Sequence, residues 1–256
     1  MNIDLNKSKE EFIKYISNYE LENKNIDRKK YHSFRVMEIS KQIATNMNLD
    51  KEEIELATLI GLLHDIARFE QYKQFKTFKD LDSFDHGDYA VGILEKDIRR
   101  YVNTDKYDEI IKKSIKNHNK FEIEEGLTQE ELLFAKIIRD ADKTDIIYES
   151  INIFFKGKEE QVNKSILSEN VYNQFKNKSI IKREKNIKLE NIDNIISVIA
   201  FIYDINFKET FEIIKENDYI NKIINRYNLE DKGTKEKVEE IRTIANEFIE
   251  LNCKKG

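Results

Sequence analysis

Proline is absent from the 256-residue chain, and glycine occurs only 7 times. With so few helix breakers, the turns fall to Asn, Asp and the rare glycines. An AT-rich coding sequence would produce the same Ile-, Lys-, Asn- and Glu-heavy composition, so the bias by itself says little about function. Cysteine is reduced to Cys253, which excludes an internal disulfide and fits a reducing cytoplasm. No apolar run approaches the roughly 18 residues a membrane-spanning helix needs, so no membrane partner is expected. The opening MNIDLNKSKEEF is polar. It carries no basic-then-apolar leader, so neither secretion nor organelle import is expected, and a cytoplasmic location follows. A basic surplus is missing too. The 44 basic and 49 acidic residues are interspersed and leave a net charge of −5, which argues against general nucleic-acid binding. It leaves room for a small anionic substrate held by a metal.

What remains is 39% apolar and 36% charged, the balance of a soluble globular protein with a heavily solvated surface. The length suits one core plus an extension. Helical spacing dominates and alternation is scarce, which predicts an all-α fold. Ser8 with Glu11, Asp50 with Glu53 and Thr128 with Glu131 match the capping-box pattern. Helices are predicted near 9–20, 29–47, 51–66, 86–100, 105–119 and 129–149. The aromatic-rich stretch 69–84, with Tyr72, Phe75 and Phe78, lacks the period and reads as a long surface connection. Beyond Ser150 the character shifts: 156–190 is rich in Lys, Asn and Ser, 192–205 is strongly apolar, and helices follow near 207–227 and 234–251. There is no internal repeat. The expected organisation is a core over 1–150 and a helical C-terminal extension over 151–256 packed on it. The sequence sets no oligomeric state.

The chain has four histidines, and each lies at the end of an apolar helical stripe. His32 leads Val36, Ile39 and Ile43; His64 follows Ala57 and Ile60; His86 precedes Ala90 and Ile93; His118 follows Ile111 and Ile115. Asp142 continues a stripe from Ala135 and Ile138. Such offsets put each side chain on the inward face of its helix. One histidine on an apolar face is ordinarily a hydrogen-bonded core residue. Five inward polar groups from five helices are harder to explain that way, because each costs several kcal/mol to bury unless paired or metal-bound. A shared divalent cation satisfies them together, and the adjacent His64-Asp65 pair supplies a nitrogen and an anionic oxygen from one helix end. Gly61, one turn earlier, allows another backbone or a ligand to approach closely. Asp140 and Asp145 compete with Asp142 for the last place but fall off its face.

The series His32, His64-Asp65 in GLLHDIARFEQ, and Asp142 in IIRDADKTD resembles the HD-domain metal-dependent phosphohydrolase superfamily over about residues 29–150. His86 in SFDHGDYAVGIL and His118 in IKNHNK resemble its longer H…HD…H…H…D variant, which holds two metals. The resemblance implies an HD-domain helical bundle in which His32, His64, Asp65 and Asp142 bind one ion. Asp65 would bridge to a second ion held by His86 and His118. With one metal only, those two histidines would orient substrate instead. Imidazoles and carboxylates suit Mn²⁺ or Fe²⁺, and a water shared by two such cations attacks phosphorus in line. The implied reaction is hydrolysis of a phosphoester or phosphoanhydride of a small, anionic, nucleotide-like substrate.

Many relatives carry Lys four residues after the motif histidine, whereas this chain has Arg68. Arg68 and Lys120 are the expected phosphate contacts alongside the catalytic Asp65, with Arg35 and Lys143 weaker candidates. Each is equally capable of being a structural ion pair. The basic run Lys176, Lys178, Lys182, Arg183 and Lys185 reads as a solvated face, the competing reading being a cationic cover over the site. Two further functions share the ligand series: a di-iron oxygenase acting on a small hydroxylated substrate, and a non-catalytic nucleotide-sensing module.

Overall fold

A computed structural model describes residues 3–182 and 189–254. The chain divides into two compact units, Met1–Asp142 and Lys143–Gly256. The first contains α1 (Leu5–Ile16), α2 (Lys24–Asn46), α3 (Lys51–Leu63), α4 (Ile66–Phe75), α5 (His86–Asp97), α6 (Asp108–Asn117) and the first part of α7 (Gln129–Asn152). The second takes the rest of α7, then α8 (Glu159–Asn163), α9 (Glu169–Lys176), α10 (Asn191–Ile199), α11 (Lys208–Glu216), α12 (Tyr219–Asn225) and α13 (Lys232–Cys253). Short 3-10 turns cover Asp80–Asp82, Ile98–Arg100 and Ala200–Asp204. The fold is all-α: the described residues include no strand, only an isolated antiparallel bridge between Ile3 and Val102. No helix among them is long and apolar enough to cross a membrane.

Two of the three predicted capping boxes form. Asp50 Oδ1 accepts from Glu53 N at 2.9 Å while Glu53 Oε2 accepts from Asp50 N at 2.8 Å. Thr128 and Glu131 reciprocate in the same way at 3.2 and 2.8 Å. The third does not form, and α1 starts earlier than predicted. Asp4 is its cap, accepting from Asn6 N and Lys7 N, while Ser8 is buried inside the helix and donates to the Tyr101 carbonyl at 2.7 Å. Ser8 has the chemistry of a cap, but inside the helix its hydroxyl faces the Asp4 carbonyl at 2.8 Å as well as that of Tyr101, and no N–H group.

The predicted 69–84 connection is shorter than expected, because α4 runs to Phe75. Its inward face is Ile66, Ala67, Phe69 and Gln71. A buried glutamine on that face and an exposed Phe75 invert the hydrophobic signal, so no period shows. The predicted helix over 207–227 breaks at Asp218, whose φ is +52°.

The first unit packs α1 through Phe12, whose ring lies 5.9 Å edge-on from both Phe34 of α2 and Phe69 of α4. α2 and α3 meet at Gly61. A Cβ there would lie 2.9 Å from Met37 Cα, 3.0 Å from the Val36 carbonyl and 2.7 Å from Ser40 Oγ. The close approach that the sequence allowed is therefore to backbone. Gly61→Ala is expected to cost about 1–3 kcal/mol by overpacking and to force His32 away from His64; a lowered melting temperature together with weakened metal uptake would register both effects. In the second unit a separate core gathers Val171, Phe175, Ile195, Phe211, Ile223 and Ile241 from α9 to α13.

Candidate metal centre

Three helix ends and two helix faces of the first unit converge on one buried point. α3 ends at His64, which is fully buried, and the chain bends at Asp65 (φ −104°, ψ 21°) before α4 begins. The bend lets two adjacent side chains enter the same space, where a continuous helix would splay them by about 100°. His64 Nδ1 donates to the Gly61 carbonyl at 2.8 Å. His118, at the end of α6, repeats the device, its Nδ1 donating to the Ile115 carbonyl at 2.6 Å. Each ring thereby bonds a carbonyl in the last turn of its own helix. Arg139 of α7 holds that α6 end from outside, with Nη1 donating to the Asn117 and Lys120 carbonyls. His86 opens α5 behind its cap Asp85, and its Nδ1 donates to Asp80 Oδ2 at 2.6 Å. His32 enters from the middle of α2 and Asp142 from α7.

The two carboxyl oxygens of Asp65 face different histidine pairs. Oδ2 lies 3.4 Å from His32 Nε2 and 3.6 Å from His64 Nε2. Oδ1 lies 3.5 Å from His86 Nε2 and 3.6 Å from His118 Nε2. Asp142 Oδ1 completes the first group, 3.1 Å from His32 and 3.7 Å from His64. Within each pair the ring nitrogens face each other, at 3.2 Å for His32–His64 and 3.0 Å for His86–His118.

A carbonyl or carboxylate can only accept, so His64, His86 and His118 all carry a proton on Nδ1 and, when neutral, present a bare lone pair at Nε2. In the His86–His118 pair two such lone pairs oppose each other, which is repulsive until a cation lies among them and Asp65. The donor set therefore fits divalent metal. Ligand atoms of His32, His64 and Asp142, and again of His64, Asp65 and His118, lie within 4.8 Å of one another.

Electrostatics point the same way. Burial holds the His64 imidazole below its usual value and, helped by the Arg68 cation, pushes His86 down to about 4. Both rings are neutral at physiological pH, the form in which an imidazole can bind metal. For Asp65 burial opposes ionisation, but the Lys29 ammonium, with His64 and Arg68, outweighs it and holds the carboxyl well below the usual carboxylate range. At Asp142 burial is likewise outweighed, chiefly by the hydrogen bond from the His32 imidazole.

All six expected ligands thus come together. Arg68 joins them, its Nε 3.3 Å from Asp65 Oδ1 and its Nη1 donating to Asp80 Oδ1, Gln71 Oε1 and the Phe78 carbonyl. Lys120 does not: its ammonium lies 2.6 Å from Asp85 and 2.9 Å from Asp88. Its position two residues after His118 turns it to the outer side of that helix end. Lys143 pairs with Asp204 at 2.7 Å in the second unit, and Arg35 is half-buried on α2. Lys176 pairs with Glu240 at 2.9 Å, whereas Arg183 and Lys185 lie outside the described residues.

Four neighbours escaped the sequence reading. Lys29 lies one turn before His32, and its ammonium is 2.6 Å from Asp65 Oδ2; spacing on α2 alone would have put it on the histidine's face. Gln71 and Asn119 sit near predicted ligands in sequence, and Asp80 sits in the connection. Nothing local marked any of the three.

Comparison with family models places an HD domain over residues 30–147. This segment contains every one of the six clustered residues, and through it the chain is similar to the HD-domain family. Neither the curated proteins nor the solved structures give a match.

Proposed function

We propose that the protein is a metal-dependent phosphohydrolase with two ions at one site, cleaving a phosphoester or phosphoanhydride of a small nucleotide-like substrate. The observation that carries this reading is the division of Asp65, one oxygen towards His32 and His64 and the other towards His86 and His118. His32, His64, Asp65 and Asp142 would hold the first ion; Asp65, His86 and His118 would hold the second. Mn²⁺ or Fe²⁺ in these places supplies Lewis acidity towards phosphoryl oxygens and acidifies water near neutral pH. The chain's own residues do the rest. Lys29 and Arg68 flank Asp65 as cations for a phosphate. Both cations lie over the Phe78 ring, its centre 5.6 Å from Lys29 Nζ and 5.9 Å from Arg68 Cζ, an aromatic contact that helps hold them beside Asp65. Lys120, committed to Asp85 and Asp88, receives no role.

Arg68→Ala is expected to raise KM or lower kcat about 10–100-fold, the loss of a charge-assisted contact of about 1.5–3 kcal/mol. Arg68→Lys should restore part of it. Because Arg68 also fastens the Phe78–Asp80 segment, kinetics and melting temperature must be measured on the same variant. Normal kinetics with a lowered melting temperature would make Arg68 structural.

The deciding experiment is purification without oxygen, metal analysis, and a phosphoester panel with Mn²⁺. Phosphate release without oxygen consumption is the expected result. Substrate-dependent oxygen uptake by an iron form would assign an oxygenase, and tight nucleotide binding without turnover would assign a sensor.

A further inference from the structure

Asp80 stands outside the six-residue series, in the 3-10 turn between α4 and α5, yet four side chains converge on its carboxylate. Oδ2 accepts from His86 Nδ1 at 2.6 Å and from Asn119 Nδ2 at 3.1 Å. Oδ1 accepts from Arg68 Nη1 and Gln71 Nε2, both at 2.9 Å. A carboxylate offers about four lone-pair directions, and every one is taken by a donor. An amide at this position would turn N–H groups against two of those partners. Neighbouring backbone is shaped to permit the arrangement: a Cβ on Gly87 would lie 2.5 Å from Asn119 Oδ1 and 2.8 Å from the Lys116 carbonyl. Only glycine there lets Asn119 reach Asp80.

We infer that Asp80 is the positioning residue of the second ion site, an inference that rests on the two-ion reading above. It acts in two ways. Its bond to His86 fixes the proton on Nδ1 and aims the Nε2 lone pair at His118 and at Asp65 Oδ1, the orientation that a ligand imidazole needs. Released from Asp80, the ring is free to carry its proton on Nε2, where it cannot bind metal. Asp80 also holds the Arg68 guanidinium, whose Nε is 3.3 Å from Asp65 Oδ1. Without that hold, Arg68 settles on Oδ1 and competes with the second ion for the oxygen. The first ion, served by Oδ2, His32, His64 and Asp142, keeps all of its ligand groups and feels only the weaker, indirect effect through the shared carboxylate.

The test is Asp80→Asn, read first in metal-free protein. With only four histidines in the chain, two-bond proton–nitrogen-15 correlation spectra resolve each ring. His86 is expected as the Nδ1–H form in the wild type and as a tautomer mixture in the variant. In Mn²⁺ titrations the second ion is expected to bind about 10–100-fold more weakly, the first nearly as in the wild type. Ser83→Ala is the control, since it removes a hydroxyl bonded by Gln71 and by the Lys79 carbonyl without touching His86. It should bind both ions normally. Each variant must show wild-type helical circular dichroism, with Asp80→Ser used if Asp80→Asn does not. An unchanged His86 tautomer with unchanged ion binding overturns the inference. So does Ser83→Ala if it loses the second ion as Asp80→Asn does, since the turn and not the carboxylate would then be responsible. A wild type that takes up one ion overturns the two-ion reading instead, and the His86 tautomer still decides whether Asp80 orients the ring.

Discussion

Asp65→Asn is expected to lower phosphate release by about 10³-fold or more, equivalent to about 4 kcal/mol of transition-state stabilisation, while helical circular dichroism stays near wild type. The amide keeps the shape of the side chain and one acceptor oxygen. It replaces the other oxygen with an N–H₂ group, which must point at either the His32–His64 pair or the His86–His118 pair, and in neither place can it bind a cation. The charge that balances Lys29, 2.6 Å away, is lost as well. A buried ammonium without its counterion is costly, so the melting temperature should fall even though the helices persist. Phosphatase assay, circular dichroism and metal analysis of one preparation check the three parts together. Wild-type turnover by this variant would refute a metal-centred mechanism.

Removing His86 or His118 is expected to leave about one tightly held ion per chain and little activity. Both rings face Asp65 Oδ1 and neither faces Asp142, so each variant strips the second group while His32, His64 and Asp142 keep the first intact. A lone cation leaves part of the phosphoryl charge unscreened and activates water poorly. Removing His32 should cost the first ion instead, and Asp65→Ala should cost both. If His86 and His118 orient substrate and bind no metal, their alanine variants will keep the wild-type ion count and change only kcat or KM. Metal analysis after gel filtration distinguishes the two outcomes, and an unchanged stoichiometry in both histidine variants would rule out the two-ion assignment.

The convergence of the four histidines and Asp142 could be read in the sequence because each ends or continues an apolar stripe, and burying a polar group there demands a partner. The capping boxes at Asp50 and Thr128 were readable for a related reason: donor and acceptor lie three residues apart, so the interaction is written locally. Ser8 carried the same local signal and misled, because its hydroxyl faces the carbonyls of Asp4 and of Tyr101, far along the chain. α4 was hidden by its own inward face. Gln71 points inward to Asp80, Ser83 and the Phe84 carbonyl, so a polar residue occupies the position where periodicity looks for an apolar one. Asp80 itself could not be found from spacing, since its partners come from α4, α5 and the end of α6, and a carboxylate in a loop is the commonest of surface residues. Lys120 was placed near the chemistry by its closeness in sequence to His118, but a helix end radiates its neighbours in different directions.

In the two-ion reading one carboxylate serves both histidine pairs, so the two ion sites would not be independent binding equilibria. An ion settling on one oxygen would withdraw charge from the other oxygen, and it would also fix the torsion of the side chain that both sites share. The first effect weakens the partner site, and the second spares it the entropy of ordering Asp65. Whichever dominates, thermodynamic linkage requires the coupling to be reciprocal: the factor by which the first ion changes affinity for the second is the factor by which the second changes affinity for the first. On that reading, occupancy of this centre as metal concentration rises would be a property of Asp65, and not a sum of two separate isotherms.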